Sequence, residues 1–265
     1  MTRLISDWIS SMEEEMSRYD TELKGKTGLC LGQLAAKAKD LDYIALKNKL
    51  DRCVAAVIPV TSGLGVIDSF SESVAAILKT IGIRVFVTDG TDVNGIDEAI
   101  RNNATILFMA DDNKYIALNI KNGKCSDNNQ ATALGFVTAL EAMAGSLYEK
   151  KVLVLGCGIV GVKAFAALKE KSAIVSVYDK NTERMSGLLA DETLIDLRSL
   201  KNYKYIFDAT NEGGWLKPEM LAADAYIAMP GIPSSLSDCA NRIHDKRVVH
   251  DPLQIGTAVM LAEVL

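Results

Sequence analysis

The sequence predicts an α/β protein of two lobes joined by a long helix. Apolar runs with β-strand character alternate with helix-like segments in both halves of the chain, an order typical of parallel sheets. Between residues 131 and 147 the chain is rich in Ala and Leu, which predicts a helix there. A second series of strands begins directly after this helix. We therefore expect two α/β lobes, one after the other along the chain, with a cleft between them.

Length and composition are those of a globular protein. The chain has 265 residues, of which 49% are hydrophobic and 24% charged, and its formal net charge is −5. This apolar content is too high for a disordered chain, and the mildly acidic balance argues against a nucleic-acid partner. The longest uncharged apolar run, Val152–Val162, has 11 residues. Because a membrane span needs about 20 residues, no membrane association is expected.

Cysteine and histidine usage argues against several kinds of site. The five cysteines are odd in number, widely scattered and without metal-ligand spacing, so we expect reduced thiols, a cytoplasmic protein and no metal site. The acidic start, with Asp7 and Glu13–Glu15, differs from the basic and apolar pattern of a signal peptide. His244 and His250 are the only histidines of the sequence, which argues against a conventional histidine-based triad.

The first lobe is predicted to span residues 1–130. A helix is indicated near its start by apolar residues at intervals of three and four, namely Leu4, Ile5, Trp8, Ile9, Met12 and Met16. Further helices are predicted at Leu31–Leu50 and Glu72–Lys79. Strands are predicted at Val54–Val60, Arg84–Val87, Thr105–Ala110 and Tyr115–Ile120. Asn122–Gly123 is typical of a tight turn, so the chain after Ile120 is expected to fold back as a hairpin.

The second lobe is predicted to span residues 131–254, including the linking helix Ala131–Leu147. Lys151–Leu155 is almost wholly apolar, which is typical of a parallel strand buried on both faces. Further strands are predicted at Ile174–Tyr178, Tyr205–Asp208, Ala225–Met229 and Val248–His250. Residues 255–265 form a predicted C-terminal helix that packs back on the first lobe.

A glycine-rich loop follows the first strand of the second lobe. Its residues are Gly156, Cys157, Gly158, Ile159, Val160 and Gly161, and a helix is predicted after it from Val162 to Lys169. In such a loop the first glycine permits a tight turn, the second lets the backbone approach a pyrophosphate, and the third lets the helix pack on the strand. The N–H groups at the helix N-terminus favour phosphate. The loop therefore predicts a Rossmann dinucleotide-binding lobe, with Gly156, Gly158, Ile159, Val160 and Gly161 contacting the cofactor.

Asp179 ends the next predicted strand, 18 residues after Gly161. A carboxylate at this position accepts hydrogen bonds from the adenosine ribose hydroxyls and repels a 2′-phosphate. NAD is therefore the expected cofactor rather than NADP, although the adjacent Lys180 would soften the preference.

Two later loops also follow predicted strands of the second lobe. One contains Ala209 and Thr210, and the other contains Pro230 and Gly231. Ligands of open parallel sheets lie beyond the carboxyl ends of the strands. We therefore expect both loops to border the nicotinamide half of the cofactor.

The first lobe has its own polar segments at predicted strand ends. Residues 59–71 lead from an apolar strand into a helix with hydroxyls and backbone amides suited to a carboxylate or another anionic group. Asp111 and Asp112 end another strand. This pair of carboxylates has two interpretations: it holds an ammonium group, or it caps the next helix.

Several of these segments together resemble the pyrrolysine synthase family, NAD-dependent dehydrogenases of the last step of pyrrolysine biosynthesis. The most specific blocks are V-T-S-G-x-G-x-x-x-S-F-S at Val60–Ser71, M-A-D-D-N at Met109–Asn113 and N-x-K-N-G-K at Asn119–Lys124. The shorter blocks are V-T-D at Val87–Asp89, N-N-Q at Asn128–Gln130, P-G-I-P at Pro230–Pro233 and P-L-x-I-G-T-A-x-M-L at Pro252–Leu261. They run in order over roughly four fifths of the chain, from residue 54 to the C-terminus.

The resemblance implies an N-terminal substrate lobe, a Rossmann lobe and a small-molecule substrate. That substrate is a lysine acylated on its ε-nitrogen by 3-methylornithine, whose terminal amine carbon is oxidised with loss of ammonia before a ring closes to give pyrrolysine. Implied substrate contacts are Ser62, Phe70, Asp111 and Asn129, with Leu4 and Ile5 from an N-terminal helix and Gly256 and Thr257 near the cleft. We expect Asp111 to orient the amino group, and a homodimer is compatible with the sequence.

Two other functions fit part of the pattern. Another two-lobed NAD(P) dehydrogenase of a small polar metabolite, such as a shikimate or folate derivative, would share the fold and the glycine loop. A non-catalytic NAD-sensing protein would bind the cofactor without turnover, and it would usually carry a basic DNA-binding element. The first-lobe blocks around Ser62 and Asp111 favour the dehydrogenase of pyrrolysine biosynthesis.

Overall fold

The computed structural model describes residues 9–265, which form two compact units, each built around one β-sheet. The first unit comprises the residues up to Glu22 together with Cys30–Thr132 and Pro252–Leu265. The second comprises Leu23–Leu29 and Ala133–Asp251. The predicted α/β class with two lobes is confirmed. Unlike the predicted division, the structure groups residues 23–29 with the second unit. The predicted return of the C-terminal segment to the first unit is present, and it begins at residue 252 and not at 255.

Both units contain α-helices and β-strands. The α-helices of the described residues are α1 (Met12–Thr27), α2 (Leu31–Ala38), α3 (Tyr43–Leu50), α4 (Phe70–Ile81), α5 (Asp92–Arg101), α6 (Asn128–Ala144), α7 (Ile159–Glu170), α8 (Asp238–His244) and α9 (Gln254–Val264). The strands are β1 (Val54–Ile58), β2 (Arg84–Val87), β3 (Ile106–Ala110), β4 (Tyr115–Asn119), β5 (Cys125–Asp127), β6 (Lys151–Leu155), β7 (Ile174–Tyr178), β8 (Glu192–Thr193), β9 (Tyr205–Asp208), β10 (Tyr226–Met229) and β11 (Val248–His250).

The sheet of the first unit has five strands in the order β2-β1-β3-β4-β5. Helices α4 and α5 connect β1, β2 and β3, and these strands pair in parallel, as a helical crossover requires. Strands β3, β4 and β5 pair antiparallel. Gly123 lies between β4 and β5 with a φ of +73°, a conformation that suits glycine in a tight turn. The predicted hairpin is therefore confirmed.

The sheet of the second unit has six parallel strands in the order β11-β10-β9-β6-β7-β8. With β6 to β11 numbered 1 to 6 and the sheet read from the β8 edge, this is the order 3-2-1-4-5-6 of a Rossmann fold. The strand order reverses between β6 and β9, and ligands of such sheets bind beyond the carboxyl ends of the strands at that point. The fold therefore places the glycine loop after β6 where a dinucleotide is expected.

The predicted continuous helix at Leu31–Leu50 is wrong. The chain forms two helices, α2 and α3, separated at Asp40, whose φ of +51° breaks the helix. The side chain of Asp42 accepts a hydrogen bond from the backbone N–H of Ala45 at 2.8 Å and so caps α3. Two short polar residues thus end one helix and begin another within a run of good helix formers.

Helix α9 belongs to the first unit, where it packs against α2, α4, β4 and β5. Almost all of its residues are buried. Glu263 near its end pairs with Lys39, which directly follows α2, at 2.8 Å and accepts a hydrogen bond from Ser126. Among residues 9–265 no helix is long and apolar enough to cross a membrane.

Candidate functional site

The glycine loop closes tightly against the loop that follows β9. Gly156 has a φ of +83°, and a Cβ atom there would lie 3.0 Å from the backbone of Ala209. A Cβ atom on Gly161 would lie 1.8 Å from the carbonyl oxygen of Gly156. Gly158 differs, because a Cβ atom there would have no neighbour within 4 Å. The first and third glycines are thus required by the protein's own packing, and the second faces open space that suits a close ligand.

Helix α7 begins at Ile159, three residues earlier than predicted, with Gly158 as its N-cap residue. No side chain caps this end of the helix. The first-turn amides, including those of Ile159 and Val160, therefore keep their capacity to donate to an anion. This donor set and the open space at Gly158 fit the pyrophosphate of a dinucleotide.

Asp179 directly follows β7 and is 5% exposed. Its Oδ2 atom accepts the backbone N–H of Cys157 in the glycine loop at 2.7 Å, and its Oδ1 atom accepts the N–H of Asn181 at 2.8 Å. The guanidinium of Arg184 lies 3.9 Å from Oδ2. These bonds hold the carboxylate in a fixed position beside the glycine loop.

A pocket of about 230 Å³ lies at the carboxyl ends of β6, β7 and β9. It is lined by Gly156, Gly158, Tyr178, Asp179, Lys180, Arg184, Leu197, Ala209, Thr210, Asn211, Glu212 and Trp215, and we refer to it as the glycine-loop pocket. Five of the predicted cofactor residues meet here, namely Gly156, Gly158, Asp179, Ala209 and Thr210. Ile159, Val160, Gly161, Pro230 and Gly231 do not line it.

Several pocket residues have no counterpart among the predicted cofactor residues. Leu197 and Trp215 supply apolar walls, and Arg184 and Glu212 supply charge. The sequence carries no signal for Leu197 or Arg184, because neither directly follows a predicted strand. Arg184 lies in the short 3-10 helix Thr182–Met185, and Leu197 lies in irregular chain after β8. Glu212 and Trp215 closely follow the predicted loop at residues 209–210, so extending that loop along the chain would have included them.

A buried polar network joins the loops after β9 and β10. Asp208 is fully buried and accepts hydrogen bonds from the Ser235 hydroxyl and from both the N–H and the hydroxyl of Thr210. Burial raises the pKa of Asp208, while the three donors oppose that rise. A Cβ atom on Gly231 would lie 1.8 Å from the carbonyl oxygen of Thr210, so the two loops touch. Gly231 therefore has a packing role here, and its contact with the cofactor, like that of Pro230, stays a prediction.

In the first unit, carboxylates fix the loop that contains Ser62. Asp112 accepts the backbone N–H of Leu64 at 2.7 Å, and a Cβ atom on Gly63 would lie 2.1 Å from the Asp112 carboxylate. Asp92 accepts both the N–H and the hydroxyl of Thr61, at 2.9 and 2.5 Å. Ser62 itself is exposed. Asp112 therefore neither caps a helix nor stands free, because it is bonded to the loop at 61–65.

Asp111 stands at the turn between β3 and β4. Its Oδ1 atom accepts the N–H groups of Asn113 and Lys114, each at 2.7 Å. These donors, Lys114 first, lower the pKa of the Asp111 carboxyl. The interpretation that Asp111 caps the next helix is wrong, because antiparallel strand β4 follows, and the carboxylate caps a hairpin turn instead. The side chain is exposed and charged, which is compatible with binding an ammonium group.

The remaining predicted substrate residues lie in or near the core of the first unit. The Phe70 ring packs edge-on against that of Tyr115 with centroids 5.4 Å apart, and the Tyr115 hydroxyl lies 2.9 Å from that of the fully buried Thr257. Asn129 is 8% exposed, and its N–H donates to Asp127. A Cβ atom on Gly256 would lie 2.5 Å from the Asn128 side chain. The substrate contacts of these four predicted residues stay predictions.

Leu4 and Ile5, the two predicted substrate contacts from the start of the chain, lie outside the described residues.

Comparison with known proteins identifies the relatives of the chain. A family model described as "Pyrrolysine biosynthesis protein PylD, N-terminal domain" matches residues 8–126, and one described as "Alanine dehydrogenase/PNT, C-terminal domain" matches residues 124–213. The chain is 35% identical over 271 residues to the pyrrolysine synthase of Methanosarcina acetivorans, covering 100% of both chains. The chain belongs to the pyrrolysine synthase family. A second member, from Methanosarcina barkeri, is 35% identical over 215 residues, covering 79% of this chain and 80% of that one.

The fold also resembles solved dehydrogenases outside this family. Quinate dehydrogenase from Corynebacterium glutamicum, solved in complex with NAD, superposes with a TM-score of 0.51 at 14% identity, covering 80% of this chain and 94% of that one. A likeness at this identity concerns the fold alone. The assignment to the pyrrolysine synthase family, together with the match to the alanine dehydrogenase C-terminal domain, supports an oxidoreductase of pyrrolysine biosynthesis.

Proposed function

We propose that the chain catalyses the NAD-dependent oxidation of the terminal amine of 3-methylornithyl-N6-lysine to a semialdehyde, with loss of ammonia, followed by cyclisation to pyrrolysine. The observation that carries this proposal is the 35% identity to the pyrrolysine synthase of Methanosarcina acetivorans over the whole chain. The glycine loop after β6 and the carboxylate of Asp179 support the choice of a dinucleotide as oxidant.

The reaction balances with one oxidant and the groups of the substrate itself. The carbon that bears the terminal amine loses a hydride, and its nitrogen loses a proton as the C=N bond forms. Water then adds to this carbon, ammonia leaves, and the semialdehyde condenses with the internal amine with loss of water to close the ring. NAD supplies the hydride-accepting nicotinamide.

Cofactor binding is assigned to the second unit. The amides of the glycine loop and of the first turn of α7 would bind the pyrophosphate. Asp179 would accept the ribose hydroxyls, because its carboxylate is already fixed by Cys157 and Asn181. A 2′-phosphate would meet this buried carboxylate, so the proposal is specific for NAD. Ala209, Thr210, Pro230 and Gly231 are assigned to the nicotinamide half.

Substrate orientation is assigned to Asp111. Both described hydrogen bonds of its carboxylate end on Oδ1. We assign Oδ2 to the substrate amino group, to which it would bind by a charge-assisted hydrogen bond. The lowered pKa keeps the carboxyl ionised at neutral pH, as this role requires. Holding the amine in one orientation favours loss of hydride from its carbon, so positioning supplies most of the catalysis.

The test is incubation of the purified chain with NAD and the acylated lysine, following reduced cofactor by absorbance and the product by mass. The Asp111→Asn variant keeps an oxygen for Asn113 and Lys114 and loses only the charge. We expect a fall of about 10²-fold in turnover for this variant, with NADH affinity unchanged. Asp97→Asn, an exposed change on α5, serves as the control. Near-normal turnover of Asp111→Asn would reject its role, and absence of product from the unaltered chain would reject the proposed function.

A further inference from the structure

Four charged side chains line the glycine-loop pocket, two of each sign. Lys180 Nζ lies 3.1 Å from Glu212 Oε2, and these side chains are 78% and 64% exposed. Arg184 lies 3.9 Å from the Asp179 carboxylate, with side chains 57% and 5% exposed. The formal charges of the pocket therefore cancel, although it contains two cations that could bind a phosphate.

The Lys180–Glu212 pair connects the two loops on either side of the glycine loop. Lys180 lies in the loop after β7, and Glu212 lies in the loop after β9. Strand β6, which carries the glycine loop, lies between β7 and β9 in the sheet. The pair thus joins the two loops at the pocket, and its Lys180 directly follows Asp179, which would bind the adenosine ribose.

The two carboxylates of the pocket differ in how firmly their side chains are held in place. Asp179 is buried and bonded to the backbone of Cys157 and Asn181, so its position is fixed. Glu212 is exposed, and the contact that it makes in the pocket is with Lys180. A 2′-phosphate carries a charge of about −2, and it would be stabilised by Lys180 and Arg184 if neither were neutralised. Glu212 neutralises one of these two cations, Lys180, by pairing with it.

We propose that Glu212 is a specificity-determining residue that disfavours NADP by neutralising Lys180 at the pocket, in addition to the repulsion from Asp179. The inference rests on the proposed function, because it concerns the choice of the same oxidant. Discrimination between NAD and NADP would thus depend on two loops. Asp179 after β7 acts directly at the ribose, and Glu212 after β9 acts through Lys180.

The test measures the affinity of the full chain for NADH and for NADPH by calorimetry at low ionic strength, without substrate. Glu212→Gln removes one negative charge and keeps the shape of the side chain. We expect its NADPH dissociation constant to fall about fivefold, since one charge near a dianion in water has an effect of this order, while its NADH constant changes less than about twofold. The gain should shrink as salt is added, because both partners are exposed.

Glu219→Gln is the matched control, since Glu219 is an exposed carboxylate nearby in the chain that does not line the pocket. The double variant Lys180→Met, Glu212→Gln should lose the gain in NADPH affinity. The inference is overturned if Glu212→Gln leaves the NADPH-to-NADH ratio unchanged, if Glu219→Gln shifts it equally, or if the double variant retains the gain. If the unaltered chain binds neither dinucleotide, the proposed function fails as well. Binding of NADH with no effect of Glu212→Gln rejects this inference alone.

Discussion

The three glycines of the loop after β6 lack side chains for different physical reasons. At Gly156 and Gly161 a methyl group would meet backbone atoms of the protein itself, at 3.0 and 1.8 Å. At Gly158 a methyl group would have no neighbour within 4 Å, and the φ of −77° is one that alanine adopts without strain. Stability and cofactor binding therefore depend on different members of one motif.

Alanine substitutions separate these two roles. Gly158→Ala should change the free energy of unfolding by no more than about 1 kcal/mol, the range of an N-cap exchange, and should weaken NADH binding at least about tenfold by occupying space meant for pyrophosphate. Gly161→Ala should destabilise the protein by about 1–3 kcal/mol, because the backbone must shift. Denaturant unfolding and NADH titration measure both. Normal NADH affinity of a folded Gly158→Ala would contradict the assigned role.

Asp208 shows how burial and hydrogen bonding oppose each other at one residue. Burial raises its pKa above the ordinary value, so its ionised form depends on the hydroxyl of Ser235 and the two donors of Thr210. With a raised folded-state pKa, the carboxyl contributes stability at low pH that is lost as the pH rises through that pKa. Each donor offsets part of this loss.

Ser235→Ala should therefore destabilise the protein most at neutral pH. The expected loss is about 1–3 kcal/mol, because one donor to a buried carboxylate is removed. The loss should shrink as the pH falls through the raised pKa and Asp208 becomes protonated. Ser234→Ala is the control, since its hydroxyl lies 3.8 Å from the Met229 sulfur and is not among the described donors to Asp208. Urea unfolding at several pH values measures the effect, and a loss that grows toward acid pH would contradict the explanation.

At the scale of elements, the sequence predicts buried strands better than helix ends. Strands β2, β6, β7, β9 and β11 have the predicted bounds. For β6, β7 and β9, which lie inside the second sheet, the reason is that a parallel strand buried on both faces is an apolar run between polar residues. Helix ends depend on backbone conformations that several residue types adopt. Asp40 with its positive φ, which separates α2 from α3, is an example, and Asn103 and Glu149 adopt similar values elsewhere. No local rule distinguishes Asp40 from a helical aspartate.

Helix α9 illustrates a close approach that sequence patterns do not reveal. Gly256 lies where a Cβ atom would be 2.5 Å from Asn128 Oδ1 and 2.6 Å from Thr132 Oγ1 of α6. All three residues belong to the first unit. The missing side chain lets α9 approach the start of α6, so the glycine that the resemblance linked to substrate has a packing role in the structure.

The same substitution in two helices should have opposite effects. Gly256→Ala should destabilise the protein by about 1–3 kcal/mol, because the added methyl group overlaps two polar side chains. Gly25→Ala in α1 should stabilise it by up to about 1 kcal/mol, since Gly25 has no neighbour within 4 Å and alanine is the better helix former. Thermal or urea unfolding of both variants measures the difference. Equal effects of the two would show that helix propensity, and not the contact with α6, decides the result.

At the scale of the whole molecule, the cofactor half of the site is more predictable than the substrate half. Gly156, Gly158 and Asp179 meet in one pocket because phosphate binding imposes a fixed local pattern of strand, loop, helix and acid. The residues assigned to substrate share no such pattern. Thr257 is fully buried and Ser62 is exposed, and only similarity to a family links them. Arg184, from the short 3-10 helix Thr182–Met185, and Leu197, from irregular chain, complete the pocket, and no periodicity of the sequence predicts either.

The chain order also separates sequence neighbours into different units. Strand β11 ends at His250 in the second unit, whereas α9 begins at Gln254 in the first. Helix α9 is almost wholly buried among elements that precede residue 133. Its stability should therefore depend on the first sheet and not on the strand that precedes it in the chain.

Native-state hydrogen exchange tests this division. We expect the amides of α9 to share the opening free energy of β1 and β3, and those of β11 to share that of β6 and β9, because cooperative units follow packing rather than sequence. NADH at about 100 times its dissociation constant should add about 2.7 kcal/mol of protection to the units that must be folded to bind it. That gain should appear in β6, β7 and β9, which carry the glycine-loop pocket, and not in α9. An equal gain in α9 would show that both units unfold as one, and a shared opening energy of α9 with β11 alone would contradict the division itself.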